Sequence, residues 1–167
     1  MPSVKIHKES NAGVYFLTFS VKNLYYFFDR HYRWNILADS LKYCQKEKQL
    51  KIHAFVFMLN HLHLVISSPD VSGFVCDFKK FTSKVFRKNI ENTEPNVLKL
   101  FLDTTGKYEL WEKTNMPKII ETEEFYLQKV NYIHNNSVKK NYVAEPEHWY
   151  WSSANPRCEI KIDNIYS

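Results

Sequence analysis

Glycine is scarce in this chain. Three occur in 167 residues, Gly13, Gly73 and Gly106, and none is near another. Without clustered glycines there is no Walker loop and no dinucleotide fingerprint, so chemistry driven by a bound nucleotide is not expected. Cysteine is equally sparse. Cys44, Cys76 and Cys158 are odd in number, far apart and without a CxxC pair, which argues against a disulfide framework and against a cysteine zinc site. Long apolar runs are missing too. The longest, 24–28 and 54–59, fall far short of the ~20 residues a membrane helix needs. The opening "MPSVKIHKES" has no apolar core, so no signal peptide is expected and the cytoplasm is the expected location.

Apolar and aromatic side chains, by contrast, are plentiful. Hydrophobic content is 44% and aromatic content 16%, enough to fold, and the length fits one domain over 1–167. The net charge of +5 and pI near 9.0 suit an anionic partner without requiring one.

"GVYFLTFSV" (13–21) is β-branched, aromatic and opened by glycine, the pattern of a strand. Trp34, Leu37, Leu41 and Cys44 recur at helical spacing within 30–48. "KIHAFVFML" and "HLHLVISS" then read as two antiparallel strands joined tightly at Asn60. A second helix over 72–89 has Phe74, Phe78, Phe81 and Val85 as its expected buried stripe, with Lys80, Lys84 and Arg87 at i, i+4 and i+7 on another side. That basic face is either simply solvated or a backbone-binding surface. "TTGKYELWEK" reads as a turn feeding a strand that Pro117 ends, and Thr122 as the cap of a last helix reaching about Val138. The order is ferredoxin-like βαββαβ with an added C-terminal helix: an α+β fold, antiparallel sheet, helices expected on one face.

Inside the apolar run "FMLNHLHLVI" (57–66) stand His61 and His63. Alternation along a strand points both imidazoles one way, about 7 Å apart, while Leu62, Leu64 and Ile66 enter the core. They are either half of a divalent metal site or two satisfied histidines. On the last helix Tyr126, Val130 and Ile133 form a docking arc. Tyr132 lies roughly opposite, with Asn136, Lys129 and Gln128 as helix-surface neighbours on that non-core side. Asn136 could complete a metal site there, or hydrogen-bond at the surface with Tyr132.

Taken together, "HAFVFMLNHLHLVISSPD", "DFKKFTSKVF" and "YIHNNSVKKNYVAEPEHWYWSSA" resemble, in order and spacing, the REP-associated tyrosine transposases, relatives of the small insertion-sequence transposases that act on single-stranded DNA. The resemblance runs from about Tyr15 to Ala154. It implies His61, His63 and Asn136 as ligands of Mg²⁺ or Mn²⁺ and Tyr132 as the nucleophile. The expected function is therefore that of a DNA nicking and rejoining transposase, working on single-stranded or hairpin DNA through a 5′-phosphotyrosine. The candidate DNA contacts are Lys80, Lys84, Arg87 and Lys129. Two departures flank the motifs, Leu59 and Ser137, where proline is usual. Dimerisation is common among the insertion-sequence relatives, so a homodimer stays open. A protein that binds hairpins without cutting them is the alternative; an RRM-type RNA binder fits worst, because its glycine-containing motif is absent.

Overall fold

The computed structural model describes Ile6 and residues 10–166; most of the opening stretch in which no leader is read lies outside them. Four antiparallel strands form one sheet: β1 (Val14–Ser20), β2 (Lys51–Phe57), β3 (His61–Ser67) and β4 (Lys118–Ile120), in the order β2-β3-β1-β4. This is the strand order of the ferredoxin-like βαββαβ fold, and it puts β1 and β3 in the centre.

Alternation divides the sheet's side chains between two cores. Leu17, Phe19, Phe55, Phe57, Leu62, Leu64 and Ile66 face one way and are covered by α1 (Arg33–Glu47) and α2 (Val71–Thr93). Phe16, Ala54, Val56, Met58 and Val65 face the other way, under α3 (Glu123–Lys139). Helices therefore lie on both faces, not on one. Ile52 and Ala54 take opposite faces despite their even spacing because a bulge at His53 shifts the register. Among the described residues no helix is long and apolar enough to cross a membrane, and the three cysteines are free.

Two local expectations are corrected. The last strand lies after Pro117, not before it: the 107–113 segment makes only isolated bridges, Val21 with Trp111 and Leu102 with Tyr108. Pro117, which has no N–H to donate, directly precedes the edge strand β4. The buried stripe of α2 runs Phe74, Phe78, Thr82, Phe86, Ile90. Phe81 is 56% exposed and Val85 only partly buried, because each step of four turns the buried face by about 40°, so along the helix the core contact moves away from the straight stripe that 74, 78, 81 and 85 would make. Trp149 and Trp151 pack the C-terminal segment down: Trp149 Nε1 donates to the Phe57 carbonyl, and the Trp151 ring stacks on Phe57.

The loop after β1 is tied to the end of α2 by a buried cation. Arg33 is fully buried and donates to Asn89 Oδ1, to the Phe27 carbonyl and to Glu94, whose carboxylate also takes Arg30. Removing Glu94 leaves the Arg33 charge buried and uncompensated. Glu94→Ala is expected to cost about 3 kcal/mol, read as a lowered urea midpoint at unchanged slope.

Candidate active site

The site begins with the register of β1 and β3. Thr18 lies opposite His63 and Ser20 opposite His61, so four polar side chains share one end of the face that Phe16 and Val65 continue as apolar core. Thr18 Oγ1 and His63 Nδ1 are 2.9 Å apart, and His61 Nδ1 lies 2.7 Å from its acceptor, Asn60 Oδ1. Asn60 is itself braced, its Nδ2 donating to the Leu24 carbonyl. With both Nδ1 positions engaged, each Nε2 is left for another partner, which is how ligand histidines are commonly oriented. The two rings are 4.8 Å apart between centroids.

Helix α3 supplies the other wall. Thr122 caps it, its hydroxyl accepting from Phe125 N–H, and Glu123 and Glu124 sit in the positive first turn. Tyr126 and Ile133 dock the helix on the second core. Asn136 does not face outward with Tyr132, as the helical arc suggests. It is 4% exposed and turned to the sheet beside His61, and its Oδ1 has no hydrogen-bond partner. The reason lies in the sheet, whose end here is polar and accepts the polar side of the helix. Tyr132 stands at the rim, 42% exposed, its ring edge-on to His63 at 5.3 Å and to Phe16 at 5.9 Å. Lys129 Nζ lies over the Phe16 ring at 4.6 Å and near the Tyr132 ring at 5.4 Å. Gln128 is exposed and does not line the cleft.

Between these walls opens a cleft of about 430 Å³. Burial holds His61 down to about 4, helped by the Lys140 charge and opposed by Asn136. His63 is held down to about 3 by burial, then by His61 and Lys129. Both imidazoles are neutral at pH 7, and in the tautomer with the proton on Nδ1 each keeps its lone pair on Nε2. Two neutral imidazoles and an amide oxygen with nothing to accept from are a donor set suited to a hard-to-borderline divalent ion. The structure thus brings His61, His63, Asn136, Tyr132 and Lys129 to one cleft. It does not bring Lys80, Lys84 or Arg87 there: they lie on α2, across the sheet, with Lys80 and Lys84 exposed and Arg87 paired with Glu91 at 3.1 Å. Thr18, Asn60, Lys118 and Lys140 also line the cleft, and sequence reasoning assigned none of them a role. Only Thr18 carried a signal, its register opposite His63.

A ferredoxin-like sheet with paired histidines on one central strand, faced by a helix bearing a tyrosine and an asparagine one turn apart, defines the class. The chain belongs to the IS200-like transposase family, whose model matches residues 11–136. An uncharacterized protein of Haemophilus influenzae is 25% identical over 154 residues, covering 81% of this chain and 86% of that protein. In fold, the chain is similar to a REP-associated tyrosine transposase solved bound to a REP hairpin. The TM-score is 0.69 at 18% identity, over 92% of this chain and 82% of that one.

Proposed function

We propose that this chain, as one domain acting in the cytoplasm, nicks and rejoins single-stranded DNA carrying hairpins, with Tyr132 as nucleophile. The observation that carries this is the unpartnered Asn136 Oδ1, buried beside two neutral histidines one helical turn from Tyr132. His61, His63 and Asn136 would hold Mg²⁺ or Mn²⁺, which when bound polarises the scissile phosphate. Tyr132 attacks phosphorus, the P–O3′ bond breaks, and the phenol's proton is balanced by protonation of the departing 3′-oxygen. The products are a 5′-phosphotyrosine and a free 3′-OH; another 3′-OH reverses the step. The phosphodiester's bond energy is kept, so no nucleotide cofactor is called for. Both walls of the cleft come from one chain, which supports action in cis and makes a homodimer unnecessary for assembling the site.

Binding of a hairpin is supported by family membership and by the similar transposase solved on a REP hairpin. Lys129 would meet the strand within the cleft. Lys80, Lys84 and Arg87 would meet only DNA that continues around the molecule to α2, such as a stem.

The test is a pool of labelled hairpin oligonucleotides incubated with the protein in Mn²⁺ and run on a denaturing gel, with a chelator control. A protein-linked band that the chelator removes supports transesterification. Hairpins shifted on a native gel but never linked would leave a hairpin-binding protein.

The depressed histidine values also set a pH dependence. An ordinary histidine near 6.5 loses metal to protons below that pH, whereas ligands at about 4 and about 3 stay neutral. Mn²⁺ affinity, read by calorimetric titration, is expected to change less than about twofold between pH 7 and pH 5. Folding, by contrast, does respond. The unfolded chain takes up protons near 6.5 that the folded chain refuses, so stability is fully present above about 6.5 and falls as pH drops toward 4 and then 3. Thermal unfolding of the metal-free protein across pH 7 to 4 reads this directly.

A further inference from the structure

The cleft has two ends that differ in what they offer. Along α3, Tyr132 meets His63, and Asn136, one turn on, meets His61. A further turn brings Lys140, which lines the cleft and whose charge acts on His61. In the other direction, Lys129 is in reach of Lys118 on β4, an ammonium pair whose mutual effect, after burial, lowers the Lys129 pKa. From Tyr132 to Lys140 is eight residues, about 12 Å of helix, and from Lys129 to Lys140 about 16 Å. None of these three lysines forms an ion pair among the described residues, and no carboxylate lines the cleft. A close ammonium pair at one end and a third ammonium at the other, with no counter-charge between them, disfavour the empty cleft and favour one filled by an anion.

A phosphodiester displaced in line has its nucleophile and leaving oxygen on opposite sides of phosphorus. Resting on the transesterase reading above, this gives the cleft a direction. Tyr132 approaches from the His63 end, so the leaving oxygen points to the His61 end. We propose that Lys140 meets the leaving 3′-oxygen, while Lys118 and Lys129 hold the backbone phosphate on the nucleophile's side. In the step, Tyr132 Oη forms a bond to phosphorus as P–O3′ breaks with its electron pair going to O3′. The Lys140 ammonium donates a hydrogen bond and then its proton to that oxygen as its charge grows, giving the 3′-OH; the phenol's proton leaves to solvent, and solvent returns one to Lys140, so the count closes. On the return step, Lys140 meets the incoming 3′-OH at the same place.

The experiment is single-turnover adduct formation in Mn²⁺ with two hairpin oligonucleotides differing in one atom, oxygen or sulfur bridging the scissile phosphorus and the 3′ carbon. Sulfur leaves as a stable thiolate and needs no donor. Lys140 is exposed, so Lys140→Ala is expected to fold, checked by an unchanged melting temperature. It is expected to slow the oxygen substrate about 100-fold and the sulfur substrate less than about threefold. Lys118→Ala is expected to weaken binding of both substrates alike. Equal slowing of both substrates by Lys140→Ala, or slowing of neither, overturns the assignment while leaving Tyr132 chemistry intact. No tyrosine-linked product from the wild type on either substrate overturns the transesterase reading and this inference with it.

Discussion

Tyr132→Phe is expected to lower formation of the protein–DNA adduct by at least about 10³-fold while hairpin affinity stays within about twofold of the wild type. The substitution removes one oxygen and nothing else that the fold uses. The ring remains edge-on to Phe16 and His63 and beneath Lys129, and the hydroxyl has no hydrogen-bond partner among the described residues. A group so exposed and so lightly held contributes little stability, so the melting temperature is expected to move by no more than about 1–2 °C. The measurement is a denaturing gel for linkage beside a native gel for binding, on the same oligonucleotide. Persistent linkage in Tyr132→Phe would place the nucleophile elsewhere. The exposed Tyr26 and Tyr150 would then be tested in turn, although neither lines the cleft.

The parts of this site that could be read from the sequence are those governed by short periods. Two residues apart on a strand fixes a common face, so His61 and His63 pointing away from Leu62 and Leu64 followed from alternation alone. One helical turn fixes Tyr132 and Asn136 as neighbours. What could not be read is where those local faces are aimed. Helical periodicity assumes that polar side chains seek water, and Asn136 went to the outer face on that rule. In the structure it faces a sheet whose local surface is Thr18, Ser20, His61 and His63. The same blindness affects the strands. "YELW" (108–111) has the composition of a strand yet makes only bridges, because pairing along β1 is taken by the three residues after Pro117. Lys118 and Lys140 carried no signal whatever. Lysine is common on every surface, and only the cleft's geometry separates these two from Lys80 and Lys84, which lie across the sheet.

The composition of the cleft suggests that part of it was kept against the interest of stability, and Asn136→Leu tests that. Leu keeps the branching of Asn with two methyl groups in place of the amide O and N, and the site is 4% exposed, with Oδ1 lacking a hydrogen-bond partner. A buried polar atom left without a partner costs about 1–3 kcal/mol. Replacing it by an apolar group of similar shape is therefore expected to raise metal-free stability by about 1 kcal/mol, or about 2–4 °C in melting temperature for a chain of this size. The loss appears in function. Mn²⁺ affinity is expected to fall at least about tenfold and adduct formation at least about 100-fold, because the substitution removes one of the three proposed ligands. Ser137, the next residue, supplies the control. Its Oγ is equally buried and equally unpartnered, but it does not line the cleft. Ser137→Ala is expected to share the gain in melting temperature and to leave Mn²⁺ binding and adduct formation unchanged. If both substitutions stabilise and only Asn136→Leu loses metal, the orphaned amide is a ligand waiting for its ion. If Asn136→Leu binds Mn²⁺ as the wild type does, the third ligand is not Asn136 and the two histidines act with another group.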